Sequence, residues 1–203
     1  MSTARIDKVV VPGVFSLDGQ DFDVENNVWL VGDDDEVLVI DAPHDPAPIV
    51  EAIGGRRVTA IVLTHGHNDH ITAAPALRAA TGAPVWFNPE DRMLWDVVHP
   101  DSAPDRELAA GTTFEVAGTA LTALHTPGHS PGSTCLYAAD LGTVFTGDTL
   151  FCGGPGATGR SFSDHPTIVE SIRARLLTLP GDTVVRTGHG DDTTIAAETS
   201  TVS

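Results

Sequence analysis

The apolar positions of the first third of the chain fall in short runs of strand-forming residues. Residues 9–15, 27–31 and 36–40 are rich in β-branched and apolar side chains, with a Gly-Asp-Asp-Asp turn at 32–35. Each run is predicted to be a strand. Residues 46–53 carry a helical pattern closed by Gly54 and Gly55. Residues 58–63 form an unbroken apolar run, the pattern of a strand buried on both faces. A helix is predicted over 71–80, ending at Thr81 and Gly82, then a strand at 84–87. A second helix is predicted over 89–98, with Asn88 as its N-cap.

The second half repeats this style. Residues 113–116, 120–124, 133–137 and 143–145 read as strands. Asp164 caps a predicted helix with Pro166 in its first turn, running to residue 179, and 184–185 is the last expected strand. Strands alternating with helices in two successive halves predict an α/β fold of two packed sheets with helices outside, an αββα sandwich. The 203 residues suit one domain spanning 1–203. The 14 residues after His189 are polar, and no second domain is expected there.

Composition narrows the setting. Hydrophobic residues make up 41% and charged residues 19%, the balance of a globular protein. No apolar run approaches the ~18 residues of a membrane span, and the first ten residues contain no apolar signal core. Two cysteines, Cys135 and Cys152, are too few for a disulfide framework, so a cytoplasmic setting is expected. A formal net charge of −17 repels polyanions and argues against a nucleic-acid partner.

The candidate chemistry lies in the histidines. His65, His67 and His70 fall within six residues, in THGHNDH, with Asp69 beside the last. The segment follows the buried strand at 58–63, and loops at the carboxyl ends of such strands commonly carry sites. Three later loops each add one candidate ligand: His129 in TPGHSPGS, Asp148 in FTGDTLF and His189 in TGHGDD, each beside glycine. Imidazole and carboxylate suit zinc, iron or manganese. Two sites are expected: His65, His67 and His129 around one ion, Asp69, His70 and His189 around a second, and Asp148 bridging them.

THGHNDH followed by His129, Asp148 and His189 resembles the metallo-β-lactamase superfamily. VLVIDAP at 37–43 resembles the first motif of that family, which implies that Asp41 steadies the site. The resemblance covers residues 9–190, and within the superfamily these motifs look most like the glyoxalase II branch. It implies the αββα fold, a dinuclear site holding two divalent ions, and hydrolysis. Two departures bear on substrate. The β-lactamases of this family use a cysteine at the second site and lack a histidine at the position of His70, so an antibiotic-hydrolysing role is not expected. Long-form glyoxalase II enzymes carry a C-terminal helical domain with basic residues for glutathione, and no such domain is expected after residue 190.

Other residues are weaker candidates. His44, just after the strand at 36–40, and Arg160, in the glycine-rich loop, are candidate substrate contacts. Cys152 is expected to be a small buried filler and Cys135 a core residue, and His99, His125 and His165 are read as structural. The expected reaction is hydrolysis of a thioester of a small cellular thiol by a metal-bridging hydroxide, with Asp69 and Asp148 holding it and zinc as the expected metal. A water between two zinc ions ionises near pH ~7. A thiol with a pKa of ~8.5 departs without help from an acid. An iron-dependent persulfide dioxygenase and a lactone hydrolase are the alternatives.

Overall fold

A long β-hairpin opens the chain. β1 (Arg5–Leu17) and β2 (Gln20–Gly32) pair antiparallel from Arg5 opposite Gly32 to Leu17 opposite Gln20. Asp18 and Gly19 form the two-residue turn, both with positive φ (54° and 72°), which matches the twist of a tight hairpin. The hairpin is longer than the predicted strands at 9–15 and 27–31. Its distal half is largely solvated, so the hydrophobic alternation fades there, although the Asp-Gly turn was the available signal. The computed structural model describes residues 4–202. The ends of the expected 1–203 domain, residues 1–3 and 203, lie outside the described residues.

β3 (Glu36–Ile40), α1 (Pro46–Ile53), β4 (Arg57–Val62), α2 (Asn68–Ile71), α3 (Ala74–Thr81), β5 (Val85–Phe87), α4 (Arg92–Val98) and β6 (Arg106–Glu107) complete the first half. Its strands form a sheet ordered β1-β2-β3-β4-β5-β6, with β3, β4, β5 and β6 parallel. The second half runs through β7 (Thr113–Val116), β8 (Thr119–His125), β9 (Thr134–Ala138), β10 (Thr143–Gly147), β11 (Leu150–Phe151), β12 (Gly154–Pro155), α5 (His165–Ser171), β13 (Val184–Thr187), β14 (Thr193–Thr194) and α6 (Ile195–Glu198). Its main sheet is ordered β14-β13-β10-β9-β8-β7.

Three apolar layers make the sandwich. Along β2, Val28 and Leu30 face the helices with Ile49, Leu77 and Trp95. The alternate residues Trp29 and Val31 face the other sheet with Phe114, Leu121, Leu136 and Phe145. Beyond the second sheet, Val144 and Val185 pack on Ile168, Ile172 and Leu176. Strands buried on both faces are apolar at both parities, the pattern legible at 58–63.

Several expected elements differ in detail. The helix expected at 71–80 is split: Ala73 donates its N–H to Ala42 O at 2.8 Å, and Pro75, which has no N–H, opens α3. The helix expected to reach 179 leaves α geometry at Ser171 and continues as a wider π turn, Ile172–Leu176. The polar tail after His189 is folded, because β14 and α6 bury Ile195 and Val202 against the second sheet. No helix among the described residues is long and apolar enough to cross a membrane.

Candidate metal centre

The parallel strands β3 and β4 of one sheet and β10 and β13 of the other end at the same edge of the sandwich. The segments leaving them carry Asp41, His65 to His70, Asp148 and His189, and the β8–β9 connection brings in His129. The seven predicted ligands meet there, in three overlapping donor groups whose ligand atoms lie within 4.8 Å of one another.

The first group joins His65, His67 and His129. His65 Nε2 and His129 Nε2 lie 3.1 and 3.0 Å from His67 Nδ1. The second joins Asp69, His70 and His189, with Nε2 atoms of the two histidines 3.2 Å apart and His189 Nε2 3.2 Å from Asp69 Oδ2. Asp148 lies between the groups. Its Oδ1 is 3.3 Å from His70 Nε2, and its Oδ2 is 3.6 Å from His129 Nε2 and 3.5 Å from His189 Nε2. Asp69 Oδ1 and Asp148 Oδ1 are buried without a hydrogen-bond partner. Buried carboxylate oxygens facing converging imidazole nitrogens are costly without a cation, so this donor set fits a pair of divalent ions.

For His65, His70, His129 and His189 the opposite ring nitrogen is held by an acceptor, whereas His67, which turns Nδ1 to the centre, has its Nε2 buried without a partner. His129 Nδ1 donates to Ala157 O and His189 Nδ1 to Glu25 O, both at 2.8 Å. His70 Nδ1 donates to Asp41 Oδ2 at 2.8 Å. Thr64 gives its hydroxyl proton to Asp41 Oδ2 at 2.9 Å, which leaves its oxygen to accept from His65 Nδ1 at 3.1 Å. These bonds select the tautomer that bares Nε2 toward the centre. Asp41 thus orients His70 directly and His65 through Thr64, from a backbone held at φ 65°. Gly188 is required by space: a Cβ there would lie 2.2 Å from Asp148 Oδ1.

His65 and His67 of the first group and His70 and His189 of the second have opposite protonation tendencies in the metal-free protein. Burial, with His70 and His67 nearby, pushes His65 well below its ordinary pKa. Burial and then His129 push His67 down to about 3. Burial also disfavours charge on His70, but Asp148, Asp69 and Asp41 outweigh it and hold the pKa well above normal. At His189 burial is likewise overcome, by Asp148 and Asp69, and the pKa is raised to about 10. For Asp148, burial opposes ionisation, yet His70 and His189 hold the carboxyl well below its usual range.

Residues 22–189, which include every one of these ligands, match the profile of the Metallo-beta-lactamase superfamily. The chain belongs to the metallo-β-lactamase superfamily. It is 32% identical over 191 residues to the hydroxyacylglutathione hydrolase GloC of Haemophilus influenzae, covering 86% of this chain and 90% of that one. It is 36% identical over 169 residues to the hydroxyacylglutathione hydrolase of Cereibacter sphaeroides, covering 81% of this chain and 62% of that one. Among solved structures it is similar to TTHA1623 in a di-iron-bound form, with 31% identity, a TM-score of 0.75, and coverage of 93% of this chain and 96% of that one.

In this metallo-β-lactamase fold, two polar residues outside the sequence motifs join the centre. Asn26, fully buried on β2, donates from Nδ2 to Asp69 Oδ2 at 3.1 Å and lies 3.3 Å from His70 Nε2. Asp91 ties together the two loops of the first group. It accepts from Gly66 N at 2.7 Å, Ser130 Oγ at 2.6 Å and Gly132 N at 2.6 Å. Burial raises the Asp91 pKa against these bonds. A lone Asn in a strand and an Asp at a helix start carry no motif of their own. The only sequence signal was an acidic residue inside an otherwise apolar helical face.

The weaker candidates fall outside the cavity described next. His44 is paired with Asn26, through Nε2 and Oδ1 at 2.8 Å. Arg160 is directed to the hairpin tip, with Nη1 3.0 Å from Gln20 Oε1 and its guanidinium 4.7 Å from the centre of the Phe22 ring. Cys152 is exposed at the β11–β12 turn, not a buried filler, because the glycine-rich segment folds as a small surface hairpin. Cys135 is core, as expected. His99 and His125 hydrogen-bond backbone carbonyls at Ile71 and Pro131, consistent with structural roles.

A cavity of about 890 Å³ opens over the centre, reaching Asp69, His129, Asp148 and His189. Its remaining wall is made by the β1–β2 hairpin and by Phe151, Ala157 and Gly190. That volume accommodates a drug-sized molecule.

Proposed function

We propose that this protein is a dinuclear metal-dependent hydrolase, acting as one domain over residues 1–203, that cleaves thioesters of small cellular thiols. The observation that carries the reading is the joining of two complete donor groups through Asp148 beneath an open cavity. In this reading His65 Nε2, His67 Nδ1 and His129 Nε2 hold one ion. Asp69, His70 Nε2 and His189 Nε2 would hold the other, with Asp148 between them in reach of both groups. The metal is zinc by preference of the donor set, with iron or manganese compatible. A bound pair of divalent ions supplies Lewis acidity toward a carbonyl oxygen and an ionised water near neutral pH.

The protein's own residues position and exclude. Asp41 and the carbonyls of Ala157 and Glu25 fix the rings. The Phe15 ring, 5.2 Å from that of His67, and the Phe151 ring, 6.3 Å from that of His189, keep the approach to the ligands apolar. Asp69 and Asp148 would hold the attacking water in place as well as the ions. No protein nucleophile competes: burial pushes the Cys135 thiol up to about 11, and Cys152 does not line the cavity. His44, held by Asn26, is no acid for a leaving amine. A thiolate needs none, since a thiol pKa of ~8.5 lets it leave unprotonated. Hydroxyacylglutathione hydrolases among the relatives support thioesters as the substrate class. Two unpaired cysteines suit a reducing cytoplasm.

Elemental analysis of the purified protein, joined to a thioester assay, tests this reading. It expects close to two ions per chain, loss of thiol release on chelation, and recovery on adding metal. One ion per chain with full activity contradicts it.

A further inference from the structure

The cavity over the centre has a charge as well as a shape. In the hairpin register Val14 stands opposite Asp23 and Pro12 opposite Glu25, so these four side chains share one face of the hairpin. All four line the cavity, together with Phe15 and Phe151. The wall therefore alternates apolar contacts with two exposed carboxylates, and among the described residues no Lys or Arg lines it. Two nearby cations, Lys8 and Arg160, stand beside the cavity without lining it. Lys8 Nζ donates to Gly190 O at 3.0 Å and sits 5.2 Å from the centre of the Trp29 ring. Arg160 is occupied by Gln20 and Phe22, and its loop is pinned when Ser161 N donates to Asp18 Oδ2 at 3.1 Å. The formal net charge of −17 would still be about −13 with two divalent ions bound, so the long-range field of the protein disfavours an approaching anion.

Resting on the thioester reading, we infer that the preferred substrate joins an apolar acyl group to a thiol carrier without net negative charge, an aminothiol being favoured. The acyl chain packs on Val14 and Phe151. The carrier extends along the hairpin, where its ammonium pairs with Asp23 and Glu25. A carrier with free carboxylates, such as glutathione, meets those two groups with like charge.

The test compares binding and turnover on the two-metal protein. Three S-hexyl thioethers, which cannot be hydrolysed, serve as binding probes: S-hexylthiocholine (cationic, with no amine to attack the acyl group or bind metal), S-hexyl-N-acetylcysteamine (neutral) and S-hexylglutathione (net anionic). The matching hexanoyl thioesters report turnover. Affinity is expected to fall in the order cationic, neutral, anionic, with about three- to tenfold between the ends at low salt. The gap should shrink at about 1 M salt, where the Debye length is only ~3 Å, and in Asp23→Asn with Glu25→Gln. Salt dependence in the unaltered protein gives the answer even if the double variant misfolds. S-hexylglutathione binding as tightly as S-hexylthiocholine, or an order indifferent to both salt and neutralisation, overturns the inference. If the binding order holds while every thioester is inert, the thioester reading fails and the charge preference stands.

Discussion

His44 and Asn26 form a relay behind the second donor group. His44 Nε2 donates to Asn26 Oδ1 at 2.8 Å, and Asn26 Nδ2 donates to Asp69 Oδ2 at 3.1 Å. Burial lowers the His44 pKa, which favours the neutral ring in this role. The ring fits only because residue 13 is glycine: a Cβ there would lie 2.1 Å from His44 Cγ. Asn26→Ala is expected to weaken the second ion about 10- to 100-fold while sparing the first, the usual cost of losing a partner behind a ligand. His44→Ala should do the same to a smaller degree. Stepwise competition with a chromophoric chelator reads both constants, and equal losses at the two sites would count against the relay.

Asp91 should matter more for stability than for chemistry. Asp91→Ala removes three buried acceptor bonds that hold the loops of His65 to His70 and His129. It is expected to cost about 3–5 kcal/mol, seen in urea unfolding of the metal-free protein. A loss below about 1 kcal/mol would mean that the two loops hold their places without it.

The pKa directions predict unequal proton release on metal loading. In the metal-free protein His70 and His189 sit above their ordinary range, the latter at about 10, while His65 and His67 sit below it. Ions and protons compete for the same nitrogens. Affinity at the second group should therefore rise with pH between about 6 and 9, as His70 and His189 yield their protons more readily. At the first group these two neutral histidines impose no such competition. Calorimetry in buffers of different ionisation enthalpy measures the protons released, and equal release at both steps would contradict the assignment.

Much of this centre was legible because its ligands come in dense local motifs. THGHNDH alone supplies His65, His67, Asp69 and His70, and a glycine beside each later ligand marked its loop. Buried strands such as β4 announce themselves as apolar runs. The hidden parts are those held by tertiary context. Asn26 matters only because β2 passes the site, and Asp91 only because two distant loops converge on it. The hairpin's outer half is solvated and lost its alternation, and α6 hid its buried Ile195 in a polar tail.

Asp148 and Cys152, four positions apart, should behave oppositely. Asp148→Ala is expected to abolish turnover and reduce metal content, because its oxygens approach ligands of both groups. Cys152→Ala should leave both nearly unchanged, since the thiol is exposed on a surface turn. A dead Cys152→Ala protein with full metal content would require a nucleophile other than water.

The central claim is hydrolysis by a two-metal centre, and paired measurement of thiol release and oxygen uptake tests it most directly. Zinc-loaded and iron-loaded samples should be given a series of S-acyl thiols and, separately, a persulfide. The account predicts free thiol from at least one thioester, no oxygen consumption, and a rate that climbs with pH around ~7 as the attacking water ionises. Oxygen consumed in proportion to product from the persulfide, with no thiol released from any thioester, would contradict it and point to an iron-dependent dioxygenase built on the same ligands.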